Sequence, residues 1–260
     1  MQRLSSRIWP RGWHPGGLGW WLGRGVGRRT EEVAVFWSGR ELSGWASIED
    51  AHDATLDVDP EVPAAAAALL EWLGDAAESA LAPRRGLFRG VAGSEYRLPT
   101  GYAIRATEGG EMEERIEVHR AAWLPAALPY APGQVPDFPP GAVSNFTAEV
   151  YERVRSLWLY DPEFDLVAVA PDGELAACCI GWFDRTAGVT EIEPLGVRPG
   201  HRRLGLAGAL CLEIAARTAA RGGAQVFINV EPSEAYPASS AAYMKAGFEV
   251  KQYGSVPLRP

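Results

Sequence analysis

Two hydrophobic rhythms share this chain, one of period two and one of helical spacing. The first, in Val33-Ala-Val-Phe-Trp37, Glu41-Leu-Ser-Gly-Trp-Ala-Ser-Ile48 and Thr55-Leu-Asp-Val58, predicts three strands, with a turn at Ser38-Gly39 and a stop at Asp59-Pro60. Helical spacing follows from Pro63 to Leu81. Leu69, Leu70, Leu73, Ala76, Ala77 and Ala80 mark its buried face, and Pro63 sits near the first turn, where a missing N–H costs nothing. Pro83 to Pro99, rich in Arg and Gly, reads as a linker. Past it, Tyr102-Ala-Ile-Arg105 predicts a strand. Glu111 to Trp123 predicts an amphipathic helix with Met112, Ile116, His119, Ala122 and Trp123 near one stripe, and His119 reads as a face residue rather than a catalyst.

Pro125 to Gly141 holds five further prolines with Tyr130 and Phe138, which excludes helix and central strand. A loop of that length inside a domain points to function. Ser144 or Asn145 can cap a helix through about Leu159, with Trp158 and Tyr160 placed to border a substrate. Phe164 to Ala170 and Glu174 to Phe183 form a hairpin around Pro171-Asp-Gly173. Cys178 and Cys179 lie inside it as small apolar residues.

The most informative stretch follows. Glu191-Ile-Glu-Pro-Leu-Gly-Val197 predicts a strand that Pro199 stops. Leu204, Ala207, Leu210, Cys211, Ile214 and Ala215 then recur at helical spacing, so a helix begins near Arg203 and stops at Gly222-Gly223. Strand Gln225–Val230, a short helix from about Pro237 to Ala246 and strand Phe248–Tyr253 complete the order. A helix start carries unpaired N–H groups and the positive end of the macrodipole. Arg202 and Arg203 add charge, and Gly205 and Ala207 leave room for a ligand at the main chain, so the turn suits a pyrophosphate. Period two puts Glu191, Glu193, Leu195 and Val197 on one strand face, with both carboxylates on one side as candidate general bases.

Arg202-Arg203-Leu204-Gly205-Leu206-Ala207 resembles the Arg/Gln-x-x-Gly-x-Gly/Ala signature of the GCN5-related N-acetyltransferases (GNAT), with Val197-x-Pro199 before it and Tyr243-x-x-x-Gly247-Phe248 after it. The resemblance implies an α/β GNAT fold, a mixed, centrally splayed sheet flanked by helices. It also implies acetyl-coenzyme A as co-substrate, bound by Leu195, Gly196, Val197, Arg202, Arg203, Leu204, Gly205, Leu206 and Ala207. Glu191 stands where the histone acetyltransferases carry their catalytic glutamate, Glu193 is nearer the thioester, and Tyr243 matches the tyrosine that protonates the departing sulfur. Where the family often has Asn, seven residues before Tyr243, this chain has Tyr236, and Asn229 is the alternative cofactor contact. The loop after the first helix would wall the acceptor site. Gly173 to Phe183 also resembles Gly39 to Ala46, and Val58-Asp-Pro60 stands where Val197-Arg-Pro199 stands. That repeat implies a degenerate GNAT-like lobe over 1–98 and a catalytic domain over 99–260, similar to the mycothiol synthase-type tandem enzymes. The acceptor would be a small-molecule or peptide amine. A non-catalytic acyl-coenzyme A sensor or interaction module is the alternative.

Composition narrows the classes further. The 260 residues are 47% hydrophobic and 22% charged, as in ordinary globular proteins, and no run approaches a membrane span. Net charge is −8, which argues against general nucleic-acid binding and suits a cationic acceptor. Trp9, Trp13, Trp20 and Trp21 are expected to pack on the domain behind them. Three cysteines form neither a disulfide framework nor a metal site, and the chain reads as cytoplasmic; a homodimer is compatible with all of this.

Overall fold

The computed structural model describes residues 1–9, 13–23, 33–48, 54–76, 86–91, 97–135, 138–139, 141–230 and 236–253. Its amino-terminal part holds helices α1 (Gln2–Ile8) and α2 (Pro15–Gly23), strands β1 (Val33–Ser38), β2 (Glu41–Ile48) and β3 (Ala54–Val58), and helix α3 (Pro63–Ala76). The three strands form an antiparallel sheet in sequence order, as their period-two pattern predicts. α3 lies against one face, where Gly44 is needed: a Cβ there would stand 2.8 Å from Leu69. The other face buries Trp45 with Leu4, Ile8, Leu18 and Trp21 from α1 and α2.

The larger sheet has seven strands in the order β10-β4-β9-β8-β7-β6-β5. These are β4 (Gly86–Val91), β5 (Ala103–Ala106), β6 (Asp165–Val169), β7 (Leu175–Asp184), β8 (Val189–Val197), β9 (Gln225–Val230) and β10 (Glu249–Tyr253). Helices α4 (Met112–Ala122) and α5 (Ala148–Arg155) cover one face with α2, while α6 (Leu206–Ala220) and α7 (Ala238–Lys245) cover the other. The principal core lies under α6: Leu206, Leu210, Cys211 and Ile214 meet Leu166, Cys179, Ile192, Val226 and Ile228. Every pairing in the sheet is antiparallel except β8 with β9.

Several sequence expectations shift. Residues 86–91, expected within a linker, are a strand between β9 and β10. Nothing local marks it, because Gly86 and Gly90 are poor strand formers that only a sheet partner on each edge makes extended. The expected helix end at 77–81 and the linker residues 83–85 and 92–96 lie outside the described residues. α5 is shorter than expected and is capped by Thr147, whose Oγ1 accepts from the Val150 N–H at 3.3 Å. The indoles pack as expected: Trp9 stacks on Phe227 with centroids 4.6 Å apart, and Trp20 and Trp21 are buried.

α1 is the tie between the two sheets. Ser5 donates to Asp57 on β3 at 2.8 Å, and Ser6 donates to Asp184 at the end of β7. Burial, opposed by the Ser5 hydrogen bond, pushes the Asp57 carboxyl up to about 6 from its ordinary 3.8. In the folded chain Asp57 therefore keeps its proton between about pH 4 and 6, where the unfolded chain has lost it. Its stabilising contribution is complete below that window and declines as pH rises through it. Asp57→Asn is expected to raise stability relative to the unmodified chain by about 2 kcal/mol at pH 7.5 and by much less at pH 4.5. Urea titrations at the two pH values check this; an equal effect at both would contradict it.

Candidate functional site

The parallel pair β8/β9 is short. Val189, Thr190 and Glu191 pair with Gln225, Val226 and Phe227, and beyond that point the strands part. β7 keeps β8 on its other edge as far as Val197, and β4 keeps β9 as far as Val230. The gap between them is thus lined by one free edge from each strand. Arg198 N–H donates to Ala176 of β7, so by strand alternation the N–H of Val197 and of Leu195 point into the gap.

β8 also carries a bulge. Gly181 pairs with Ile192 and Cys179 with Leu195, so Glu193 and Pro194 together oppose Ile180. The extra residue breaks the alternation that the sequence predicts. Ile192, Leu195 and Val197 all face the α6 core, whereas Glu191 faces α2. Leu195 and Val197 therefore do not share the face of Glu191 as expected; a bulge moves every later side chain by one position.

Glu191 lies deep in the protein, 2% exposed, with its oxygens engaged. Asn229 Nδ2 donates to Oε1 at 2.8 Å, the Gly17 N–H donates to Oε2, and His14 Nδ1 lies 3.1 Å from Oε2. Its role is to anchor α2 and β9 to β8, and the amide of Asn229 is turned to this carboxylate rather than to the turn before α6. Glu193 is half-buried. It lies near enough to Tyr243, in α7, to bear on that phenol: burial first, then the neighbouring Cys211 and Glu193, hold the Tyr243 hydroxyl well above its ordinary range.

After Val197 the chain makes a short 3-10 turn, Pro199–His201, stiffened by His201 between the Tyr102 hydroxyl (2.8 Å) and Glu174 (2.7 Å). Arg203 has φ +68°, a conformation that side chains other than Gly rarely adopt and that recurs at functional turns. Gly205, at φ +85°, is the N-cap of α6, which begins at Leu206 rather than near Arg203. No side chain caps it and its first turn holds no acid, so the N–H groups of Leu206, Ala207 and Gly208 are open to an anion. Arg203 is exposed beside them. Arg202 is not available in the way expected: its guanidinium donates to the carbonyls of Val197, Ala122 and Ala127. It clamps the segment after α4 to the end of β8, a role that no local pattern distinguishes from anion binding.

Other expectations resolve simply. Cys178, Cys179 and Cys211 are buried free thiols, and burial pushes Cys178 up to about 11 and Cys211 to about 12. Tyr160 donates to Asp165, which also receives Tyr151 and Arg115, so it belongs to an internal network; Trp158 is exposed. His119 is stacked between Trp123 and Phe146 at 4.5 and 4.0 Å. His14, which the sequence did not single out, reaches Glu191 from 177 residues away, a separation at which no motif could signal it. Among the described residues, no group of three His, Cys, Asp or Glu is placed to hold a metal ion, and no helix is long and apolar enough to cross a membrane.

Residues 132–248 match the family model of the acetyltransferase (GNAT) family. Among solved structures, the chain is similar to a GCN5-related N-acetyltransferase from Sphaerobacter thermophilus, with a TM-score of 0.55, 20% identity, and 86% of this chain and 78% of that chain covered. It is also similar to a GCN5-related N-acetyltransferase from Kribbella flavida (TM-score 0.49, 15% identity, 92% of each chain). A third likeness is to the ribosomal-protein-S18-alanine N-acetyltransferase from Escherichia coli (TM-score 0.41, 19% identity, 57% of this chain and 77% of that chain). No curated protein matches the sequence. The fold is the α/β GNAT fold, a mixed sheet flanked by helices.

Because Glu191 is buried and accepts from Asn229 and Gly17, Glu191→Gln is expected to cost about 1–3 kcal/mol of stability, since one buried donor then faces another. A lower urea midpoint at unchanged slope checks this. An unchanged midpoint would remove the anchoring role.

Proposed function

We propose that this protein is an N-acetyltransferase that moves the acetyl group of acetyl-coenzyme A directly to an amine. The observation that carries the reading is the gap between β8 and β9 opening directly onto the uncapped start of α6. A pyrophosphate fits that helix start, where N–H groups of the first turn, the macrodipole and the exposed Arg203 converge and where Gly205 presents no side chain. The pantetheine arm would lie in the gap, its amides against the free edge at Leu195 and Val197. The Val197 N–H would then donate to the thioester oxygen as charge develops there.

The chemistry needs no covalent enzyme intermediate. The amine, deprotonated by Glu193 directly or through one water, attacks the thioester carbon. The carbon–sulfur bond breaks, and Tyr243 gives its proton to the leaving thiolate. Burial holds the Tyr243 hydroxyl above its ordinary range, so at neutral pH it carries the proton that the leaving sulfur takes up as the bond breaks. Tyr243→Phe is expected to lower kcat about a hundredfold with little change in the KM for acetyl-coenzyme A. A thiol-release assay reads both, and an unaltered kcat would take Tyr243 out of the mechanism. Calorimetry with acetyl-coenzyme A tests the whole reading: no heat of binding would end it.

We infer further that residues 1–98 are a degenerate GNAT-like lobe and 99–260 the catalytic domain, with β4 lent by the first to the second. A chain beginning at residue 99 would leave β9 and β10 without the strand between them. It is expected to lack a cooperative melt and to aggregate. A soluble, cooperatively melting 99–260 fragment would overturn this.

A further inference from the structure

The bulge in β8 decides where two backbone donors point. Along a strand, side-chain face and N–H direction alternate together. Ile192 faces the α6 core ahead of the bulge, and Leu195 and Val197 face it beyond. Without the extra residue, Leu195 and Val197 would sit on the α2 side of the sheet. Their N–H groups would then turn toward β7 instead of into the gap between β8 and β9. The aim of the Val197 N–H therefore depends on what holds the backbone at Glu193 and Pro194.

A bulge leaves its extra residue outside the ladder, and Pro194 brings no N–H. The neighbouring strand supplies a bond from a side chain instead: Trp182 Nε1 donates to the Glu193 carbonyl at 2.5 Å. Trp182 opposes Glu191 in register, so its indole reaches two positions along β8, from the last rung shared with β9 to the bulge. The ring has little freedom to do otherwise. It is fully buried, in one cluster with Trp20, Ile116, Phe146, Tyr151, Val154 and Ile180. Tyr160 stands edge-on to it at 6.5 Å. The backbone of α2 closes the remaining side, since a Cβ at Gly16 would stand 2.1 Å from that of Trp182.

We propose that Trp182 is a positioning residue for the acetyl transfer: its indole N–H fixes the bulge of β8, and the bulge aims the Val197 N–H at the thioester oxygen. Any large ring would fill the same space, but only a donor at this point ties the β8 backbone. A buried carbonyl that loses its donor is costly to leave unpaired. Without the indole N–H, the Glu193 carbonyl is free to turn to another partner, and the N–H groups beyond it turn with it. This role rests on the acetyl-transfer reading given above.

Calorimetry on the full-length protein compares acetyl-coenzyme A with S-ethyl-coenzyme A, which keeps the pyrophosphate and pantetheine but has no thioester oxygen. The unmodified protein is expected to bind acetyl-coenzyme A about fivefold more tightly, the worth of one hydrogen bond. Trp182→Phe, which keeps a ring and loses the donor, is expected to abolish that preference while its Kd for S-ethyl-coenzyme A changes less than about twofold. Trp20→Phe, in the same cluster but without a bond to β8, is expected to keep the preference. A preference that survives Trp182→Phe, or one lost equally in Trp20→Phe, overturns the role. So does equal weakening of both ligands, or equal binding of both by the unmodified protein; in each of these cases the cofactor site stands. Should the Phe variant not melt cooperatively, the unmodified protein labelled with 15N-tryptophan is the test. The Trp182 indole N–H signal, assigned through the nearby Tyr160 ring, is expected to move with acetyl-coenzyme A and much less with the ethyl analogue. An equal response to the two overturns the role. No binding of either ligand removes the underlying reading and this one with it.

Discussion

Two parallel strands that pair for three residues and then separate set the rest of this structure. A sheet gains by pairing every backbone group, so an open seam in its middle persists only if each strand is held on its far side. Here β7 holds β8 through Val197, and β4 holds β9 through Val230. The free edges face one another across a slot that leads to the start of α6. The bulge at Glu193 and Pro194 lies in the same stretch. It turns Leu195 and Val197 toward the core, away from the face of Glu191.

The amino-terminal part is therefore built into the site rather than set beside it. Its strand β4 holds one side of the seam, and its helix α2 lies on Glu191 at the point where the strands begin to part. Glycines make that contact possible, because the helix backbone approaches the sheet more closely than any side chain would allow. His14, Gly17 and Asn229 converge on one buried carboxylate, and together they join three separate elements. Such a group is costly to bury unless its oxygens are hydrogen-bonded, and here the partners arrive from distant parts of the chain.

Arginine use in the turn before α6 shows the same division. Arg203, in a left-handed conformation and exposed, is free to meet an anion. Arg202, its neighbour, turns inward and donates to three carbonyls. Two adjacent residues of one type have different work, and the difference arises from where the segment after α4 happens to pass.

Local patterns were enough for most elements: the period-two runs of β1 to β3 and β6 to β9, the helical spacing of α4 and α6, and the glycine-bearing turn at 198–205 all reflect interactions between residues close in sequence. They also sufficed for the anion-receptive start of α6, since an uncapped helix with glycine before it is a local fact. Tertiary structure alone decided the rest. Strand β4, with Gly86 and Gly90, is extended only because β9 and β10 lie on either side of it. The bulge in β8 is defined by its register against β7, the burial of Glu191 by a helix 170 or so residues away, and the assignment of Arg202 by carbonyls 75 and 80 residues back. Each of these depends on a partner distant in the chain, and a pattern of neighbours carries no record of which distant group will arrive.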